Sequence, residues 1–284
     1  MVSFFNENFA LRRKISTFGV MKQPILSIVT ITYNASAVIG ATLRSVASQR
    51  VPAAAEQPAF EHLIVDGAST DDTLRLVEAG GTDAVRVVSE PDRGIYDAMN
   101  KALRLAGGDY VMFLNAGDAF ADSDCLARIV STLREARPLI AYGQTDIVDE
   151  QRQVTGHRHL TAPERLSWRD FKRGMLVCHQ AFVVKRAIAP LYDLSYRYSA
   201  DYDWCLKCLK EAQRLIDNGE AQADAIYYLG DEPIIHFLDG GTTTAHHRAS
   251  LWERYRLMCR HYGVITATLQ HLSFIPRLLS RLLR

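Results

Sequence analysis

No apolar run in this 284-residue chain reaches the ~18–20 residues that a membrane-spanning helix needs, so no crossing of the bilayer is expected. The first residues likewise lack an apolar stretch followed by a small-residue cleavage site, and the expected location is cytoplasmic. An excess of charge of either sign is also missing. Thirty-three Lys and Arg face 32 Asp and Glu, a formal net charge of +1, and no global field selects nucleic acid as a partner. Cysteine is sparse: five residues, an odd number without framework spacing, read as free thiols in a reducing compartment rather than as disulfide staples. Cys205-Leu-Lys-Cys208 lacks a second cysteine pair and lies within an apolar helical pattern, which favours core packing over metal. Two phosphate-binding signatures are absent too. No Gly-x-Gly-x-x-Gly follows the first strand, which argues against a nicotinamide-dependent dehydrogenase, and no Gly-x-x-x-x-Gly-Lys-Ser/Thr occurs, which argues against a P-loop NTPase.

What the chain does contain is alternation. Ile25 to Thr32 is β-branched and apolar on both faces, as a strand covered by helices on both sides must be. Val38, Leu43, Val46 and Ala47 then recur at helical spacing after the capping candidates Asn34 and Ser36. The pattern repeats with strand His62–Asp66 and helix Thr70–Glu78, with strand Val85–Val88 and a helix from Gly94 whose buried face is Ile95, Ala98, Met99, Ala102 and Leu105, and with strand Tyr110–Leu114. Such alternation predicts a mostly parallel, Rossmann-like α/β sheet that binds ligands beyond the carboxyl ends of its strands. Past Tyr142 the period weakens, and the second half reads as α+β. His157–Leu160 and Ala181–Val184 are candidate strands, Pro163–Arg173 a short helix, Ala200 onward a longer helix, and Ile226–Leu229 and Ile234–Leu238 two further strands. Residues 1–22 read as an appendage, 23–120 as a first half with ligand-binding strand ends, 121–250 as a second half of the same domain, and 251–284 as a helical tail. Its end, His271 to Arg284, is basic and amphipathic.

The unusual polar residues sit at strand ends. Thr32-Tyr33-Asn34 offers an aromatic edge and an amide for a base. Asp66 opens the turn Gly67-Ala68-Ser69-Thr70-Asp71 and could accept from a base or ribose, or simply begin a capped helix with an acidic first turn. Asp97, Asn100, Lys101 and Arg104 form a polar stripe at helical spacing. A solvated face explains the stripe, but not the pair Asp92-Arg93 before Gly94, where an arginine can meet a diphosphate in bidentate fashion. Asn115-Ala116-Gly117-Asp118 presents a carboxylate beyond the fourth strand, suited to a hard divalent ion or to a plain β-turn. In the second half, His179-Gln180 precedes a strand and Asp201 opens a helix, where taken alone it reads as an N-cap.

Taken in order, Ser27–Asn34, Ile64–Thr73, Glu90–Lys101 and Gly108–Asp118 resemble the family 2 glycosyltransferases with the glycosyltransferase-A fold, and most of all their branch building bacterial capsule, colanic-acid and O-antigen polysaccharides. The resemblance is close over residues 25–120 and looser to about 245. It implies an inverting enzyme that moves a sugar from a nucleotide-sugar donor to a hydroxyl of a glycan or lipid-linked saccharide, with a noncatalytic nucleotide-sugar-binding or scaffold subunit as the alternative. By the same resemblance Thr32, Tyr33, Asn34 and Asp66 contact the nucleoside, and Asp92, Arg93, Asp97 and Asn100 line the sugar and diphosphate. Mg²⁺ or Mn²⁺ is the implied cofactor. The family's Asp-x-Asp stands here as Asn115-Ala116-Gly117-Asp118, which leaves Asp118 as metal ligand, and Gly67 replaces a common second Asp. His179 and Gln180 match acceptor-side positions. Asp201 matches the base, a role the chemistry gives to one carboxylate that takes the acceptor proton. The inner-membrane surface is a further expected partner, through residues 271–284.

Overall fold

The computed structural model describes residues 23–52, 57–82, 84–240 and 247–272. The N-terminal appendage and all of the basic tail beyond Leu272 lie outside these residues. The chain runs β1 (Leu26–Thr32), α1 (Ile39–Ala47), β2 (Phe60–Asp66), α2 (Thr73–Gly80), β3 (Val85–Ser89), α3 (Ile95–Leu105), β4 (Tyr110–Phe113), β5 (Ala119–Phe120), α4 (Cys125–Glu135), β6 (Ile140–Val148), β7 (Val154–His157), β8 (Phe182–Lys185), α5 (Ala200–Asp217), β9 (Ile226–Leu238) and α6 (His247–Tyr262). Short 3-10 helices at Trp168–Arg173, His179–Ala181 and Arg186–Ile188 join them, and residues 264–272 are helical.

Both halves build one sheet, in the order β3-β2-β1-β4-β8-β6-β9-β5, with β7 paired to β6. β3, β2, β1 and β4 run parallel. β8 is antiparallel to both β4 and β6, while β9 lies parallel to β6. All seven residues of β1 are buried, because successive side chains point to opposite faces and each face is covered. Val29, Ile31, Leu63, Val65, Val111 and Phe113 pack towards α3 and α5. Ile28, Ile64 and Met112 face the other way, towards α1, α2 and α4. This is the layered α/β architecture the alternation implies. Cys205 and Cys208 are buried in the α5 side of the core, and all five cysteines are free.

Several elements differ from the sequence reading. Ile95 is 45% exposed in the first turn of α3, so the buried stripe begins at Ala98. The strand near His157 ends there, not at Leu160, and the helix proposed over Pro163–Arg173 contracts to a 3-10 helix closed by a Ser167–Asp170 capping box. The segments Ile226–Leu229 and Ile234–Leu238 are one strand, β9. Its turn-like interior, Gly230 at φ 104° and Pro233, is absorbed as a shift of register against Gln144 and Thr145 of β6. Helix α4 has no counterpart in the sequence reading.

Candidate active site

Register places the strand-end residues Thr32, Asp66 and Ser89 abreast. Thr32 pairs with Asp66 and Asp66 with Ser89, so three parallel strands end in a polar row. Asp66 is fully buried and its carboxylate holds the turn that follows. Oδ2 accepts from the Ser69 amide at 2.9 Å and the Ser89 hydroxyl at 2.7 Å, and Oδ1 accepts from the Ser69 hydroxyl at 2.5 Å. Asn34, at φ 47°, ties the neighbouring loop to the same turn. Its amide donates to Ser69 Oγ at 2.8 Å, and its Oδ1 accepts from the Thr70 amide at 2.9 Å. Asn and Asp tolerate this left-handed backbone better than other non-glycine residues. Tyr33 stands 65% exposed beside these clamped loops, whereas Thr32 is buried with its Oγ1 lacking a hydrogen-bond partner among the described residues. Asp71 accepts from Thr73 and Ser36, and these bonds hold its carboxyl well below the usual carboxylate range.

Gly67 has a steric reason. A Cβ there would lie 2.6 Å from Asp92 Oδ2 and 3.3 Å from the Tyr33 ring, so the absent side chain lets the Asp92 carboxylate cross to the Asp66 turn. Asp92 Oδ1 accepts from the Gly94 amide at 2.8 Å. Arg93 forks onto Asp97, with Nη2 to Oδ1 at 3.1 Å and Nε to Oδ2 at 3.4 Å, and is otherwise exposed to solvent. Hydrogen bonds from the Arg93 side chain and amide lower the Asp97 carboxyl. Asn100 does not line this opening. It is 3% exposed and reads both backbone groups of Tyr192, Nδ2 donating to the carbonyl at 3.0 Å and Oδ1 accepting from the amide at 2.7 Å.

The second half joins the first through Tyr96, whose hydroxyl donates to Asp201 Oδ1 at 3.2 Å across 105 positions. The Tyr96 ring stacks on Tyr192, with centroids 5.6 Å apart, and Tyr192 stacks on Trp204 of α5 at 5.1 Å with planes 7° apart. Asp201 sits in the first turn of α5, where the helix dipole favours a carboxylate. Its side chain keeps 24% exposure, and Oδ2 lies 3.8 Å from His179 Nδ1. Burial pushes the His179 imidazole below its ordinary pKa, which favours the neutral ring despite Asp201. The other His179 nitrogen lies 3.4 Å from Asn115 Nδ2, and Asn115 Oδ1 is buried without a partner among the described residues. Asp203 is a different kind of carboxylate. It is 1% exposed, and bonds from His261 at 2.7 Å and Lys207 at 2.5 Å occupy it. Burial raises its pKa, but those two bonds outweigh burial and leave it lowered.

A divalent ion requires oxygen ligands that face a common point. Asp118 is 4% exposed, its Oδ2 accepts from Gln180 Nε2 at 2.8 Å, and its Oδ1 accepts from the Leu238 amide at 3.1 Å. Burial raises the carboxyl to about 7, against those two bonds and the charge of Arg152. Gly117, at φ 101°, donates to Thr42 Oγ1, and its carbonyl accepts from the Arg152 guanidinium. The altered motif therefore serves as a structural junction between β4, α1, β9 and the His179–Ala181 turn. No group of three or more His, Cys, Asp or Glu that could hold a metal occurs among the described residues. The side chains here do not fit the ion that the resemblance implies.

The sequence reading gave no role to Tyr96 or Tyr192. Tyr96 lies within the motif Glu90–Lys101 and shares the buried face of α3 with Met99 and Leu103, so its helical spacing is the available signal. Tyr192 carries none.

The polar row at the ends of parallel strands, faced by a helix that brings in a single carboxylate, occurs on a glycosyltransferase-A fold, and solved structures agree. Residues 1–349 of S. aureus TarS superpose with TM-score 0.63 at 18% identity, over 88% of this chain and 72% of that one. The same protein in complex with UDP-GlcNAc gives TM-score 0.64 at 20% identity, over 82% and 64%. The profile of Glycosyl transferase family 2 matches residues 27–189, and the chain belongs to that family. It is 34% identical over 196 residues to a PGL/p-HBAD biosynthesis glycosyltransferase of Mycobacterium tuberculosis, covering 66% of this chain and 71% of the relative. Chondroitin synthase of Escherichia coli is 26% identical over 206 residues, 69% of this chain and 28% of that enzyme. The protein is a glycosyltransferase.

Proposed function

We propose that this enzyme transfers a sugar from a nucleotide-sugar donor to a hydroxyl of a glycan or lipid-linked saccharide, with inversion, and that Asp201 is the general base. The hydrogen bond from Tyr96 to Asp201 carries the reading, because it sets one partly open carboxylate against the helix that follows Asp92 and Arg93. In the reaction Asp201 takes the proton of the acceptor hydroxyl as its oxygen attacks the sugar's anomeric carbon. The bond from that carbon to the diphosphate breaks on the opposite face, and the nucleoside diphosphate leaves with the electron pair. Arg93, exposed at the start of α3, is placed to meet the departing charge by exchanging part of its pairing with Asp97. Thr32, Tyr33, Asn34 and Asp66 form the nucleoside end, where the clamped loops restrict motion before a ligand arrives. The buried oxygens of Thr32 and Asn115, which lack partners among the described residues, support a polar ligand along this edge, since buried polar atoms left unpaired are costly. TarS, the solved structure with UDP-GlcNAc, supports a nucleotide-sugar donor by fold.

The acceptor is proposed to belong to a cell-surface polysaccharide or glycolipid, in line with the named roles of the mycobacterial and E. coli relatives. No helix among the described residues is long and apolar enough to cross a membrane. Docking on a membrane face is proposed through the basic tail, and the exposed Val264, Ile265 and Leu269 just before it, with Leu272 at its start, support that reading. The test of function is a thermal-shift and turnover panel of UDP, GDP, CMP and dTDP sugars. One nucleotide should stabilise the protein and be released when an acceptor is supplied, as UDP, GDP or dTDP from a diphosphate sugar or as CMP from a CMP sugar. No shift and no release with any of them would refute the donor.

A further inference from the structure

A cavity of about 310 Å³ is lined by Trp168, Arg169, Lys172, His261, Tyr262 and Thr266, none of them among the strand-end residues described above. Its floor is aromatic. Trp168 and Tyr262 stack with centroids 5.6 Å apart and planes 15° apart, and the Tyr262 hydroxyl donates to the Trp168 carbonyl at 2.6 Å. Its surroundings are cationic. The Arg169 guanidinium lies 4.7 Å from the Trp168 ring centroid, Lys172 is exposed at the rim, and Lys210 Nζ approaches the same ring at 4.7 Å from α5. None of these three forms an ion pair with a carboxylate among the described residues. The neighbouring acids are committed elsewhere, Asp170 to Arg173 at 2.8 Å and Asp203 to Lys207 and His261. Burial lowers the Lys210 pKa, the mark of a cation partly stripped of water. Lys210 Nζ also lies 3.1 Å from His261 Nδ1, while His261 Nε2 bonds Asp203 Oδ1 at 2.7 Å.

Three cations gathered around one aromatic stack repel each other, and an oxyanion among them would relieve that repulsion while the rings cover an attached apolar or sugar surface. The cavity is tied to the proposed base. Tyr202, next to Asp201, donates its hydroxyl to the Phe171 carbonyl at 2.8 Å and so anchors the 3-10 helix that carries Trp168, Arg169 and Lys172. Lys210 lies nine residues beyond Asp201 on α5, roughly 13–14 Å along the axis. We propose that this cavity is an anion subsite that holds a phosphate group borne by the acceptor. The assignment to the acceptor rests on the transferase reading. The existence of the anion site does not.

The test uses the full chain. Inorganic phosphate is titrated at constant ionic strength while the indole N–H resonance of Trp168, assigned with Trp168→Phe, is followed. The resonance should move saturably with phosphate and not with chloride, and in Arg169→Glu/Lys172→Glu the saturable movement should vanish while the melting temperature holds. No saturable movement, or the same movement in the variant, overturns the site. With phosphorylated and unphosphorylated acceptors compared, the variant should raise KM for the phosphorylated one by roughly tenfold and leave donor KM and donor hydrolysis unchanged. An unchanged acceptor KM beside a lost phosphate response overturns the acceptor assignment. Absence of turnover with any acceptor in wild type would instead count against the function proposed above, with phosphate binding still readable. Vesicles of phosphatidylglycerol distinguish the source. Movement of the Trp168 resonance by vesicles, with none by phosphate or phosphorylated acceptor, overturns the acceptor in favour of a lipid headgroup.

Discussion

Asn100→Ala separates a residue that touches donor from one that holds the site together. Both polar ends of the Asn100 side chain are bonded to Tyr192, at 3.0 and 2.7 Å, and both residues are 3% exposed. Truncation leaves the Tyr192 amide and carbonyl in surroundings with little water to replace the lost partner. An orphaned buried backbone group costs about 1–3 kcal/mol, so the pair should cost roughly 2–5 kcal/mol. For a chain of this size that lowers the melting temperature by roughly 5–15 °C. Because Tyr192 is stacked between Tyr96 and Trp204, the loosened loop should also let Asp201 drift and reduce kcat, with donor affinity held within about threefold. Urea and thermal melts give the first number, and calorimetry with the preferred donor gives the second. A melting temperature within 2 °C of wild type combined with a tenfold loss of donor affinity, about 1.4 kcal/mol, would refute the reasoning and return Asn100 to the sugar pocket.

Asp118 carries a carboxyl raised to about 7, chiefly by burial. Between its unfolded value near 3.8 and about 7 the native state holds a proton that the unfolded state releases. Asp118 therefore makes stability fall as pH rises through that window, by up to about 1.4 kcal/mol per unit. Asp118→Asn should remove that component of the slope in denaturant melts from pH 4 to 8, and an unchanged slope would contradict the assignment. Gly67→Ala places a methyl 2.6 Å from Asp92 Oδ2, which moves a short side chain at small cost to stability but displaces the Asp92 carboxylate. Donor affinity should fall by roughly tenfold with stability within about 1 kcal/mol, and equal affinity would remove Asp92 from the donor site. A chain ending at Gln270 should lose co-sedimentation with anionic vesicles while keeping its melting temperature. Retained pelleting, or unfolding, would refute membrane docking through the basic tail.

How much was legible follows from where the physics is local. β1, β4 and most of β2 are buried on both faces and stand out as apolar runs, while β3 lies at the sheet edge, and the strand ends carry the polar residues that register later aligns. The second half offers fewer such signals. β9 contains Gly230 and Pro233, which by local rules end a strand, and only its pairing with β6 keeps it continuous. Asn100 reads as part of a polar helix stripe because its partner backbone is 92 positions away. Asp118 reads as a free carboxylate for the same reason, since Leu238 lies 120 positions away and Gln180 lies 62 positions away. Asp201 stands out in the sequence only through the family resemblance. Locally it is indistinguishable from an acidic first turn, and the contact with Tyr96 is what sets it apart.

The account stands on Asp201 as the base, and Asp201→Asn tests it most directly. The amide keeps the size of the side chain and an oxygen that can accept from Tyr96, but it cannot take a proton from an acceptor. With the preferred donor and a competent acceptor, turnover should fall roughly 10²-fold or more while the donor dissociation constant, measured by calorimetry on the same protein, stays within about twofold. Turnover within threefold of wild type, or a loss of donor binding that accounts for the whole defect, would contradict it.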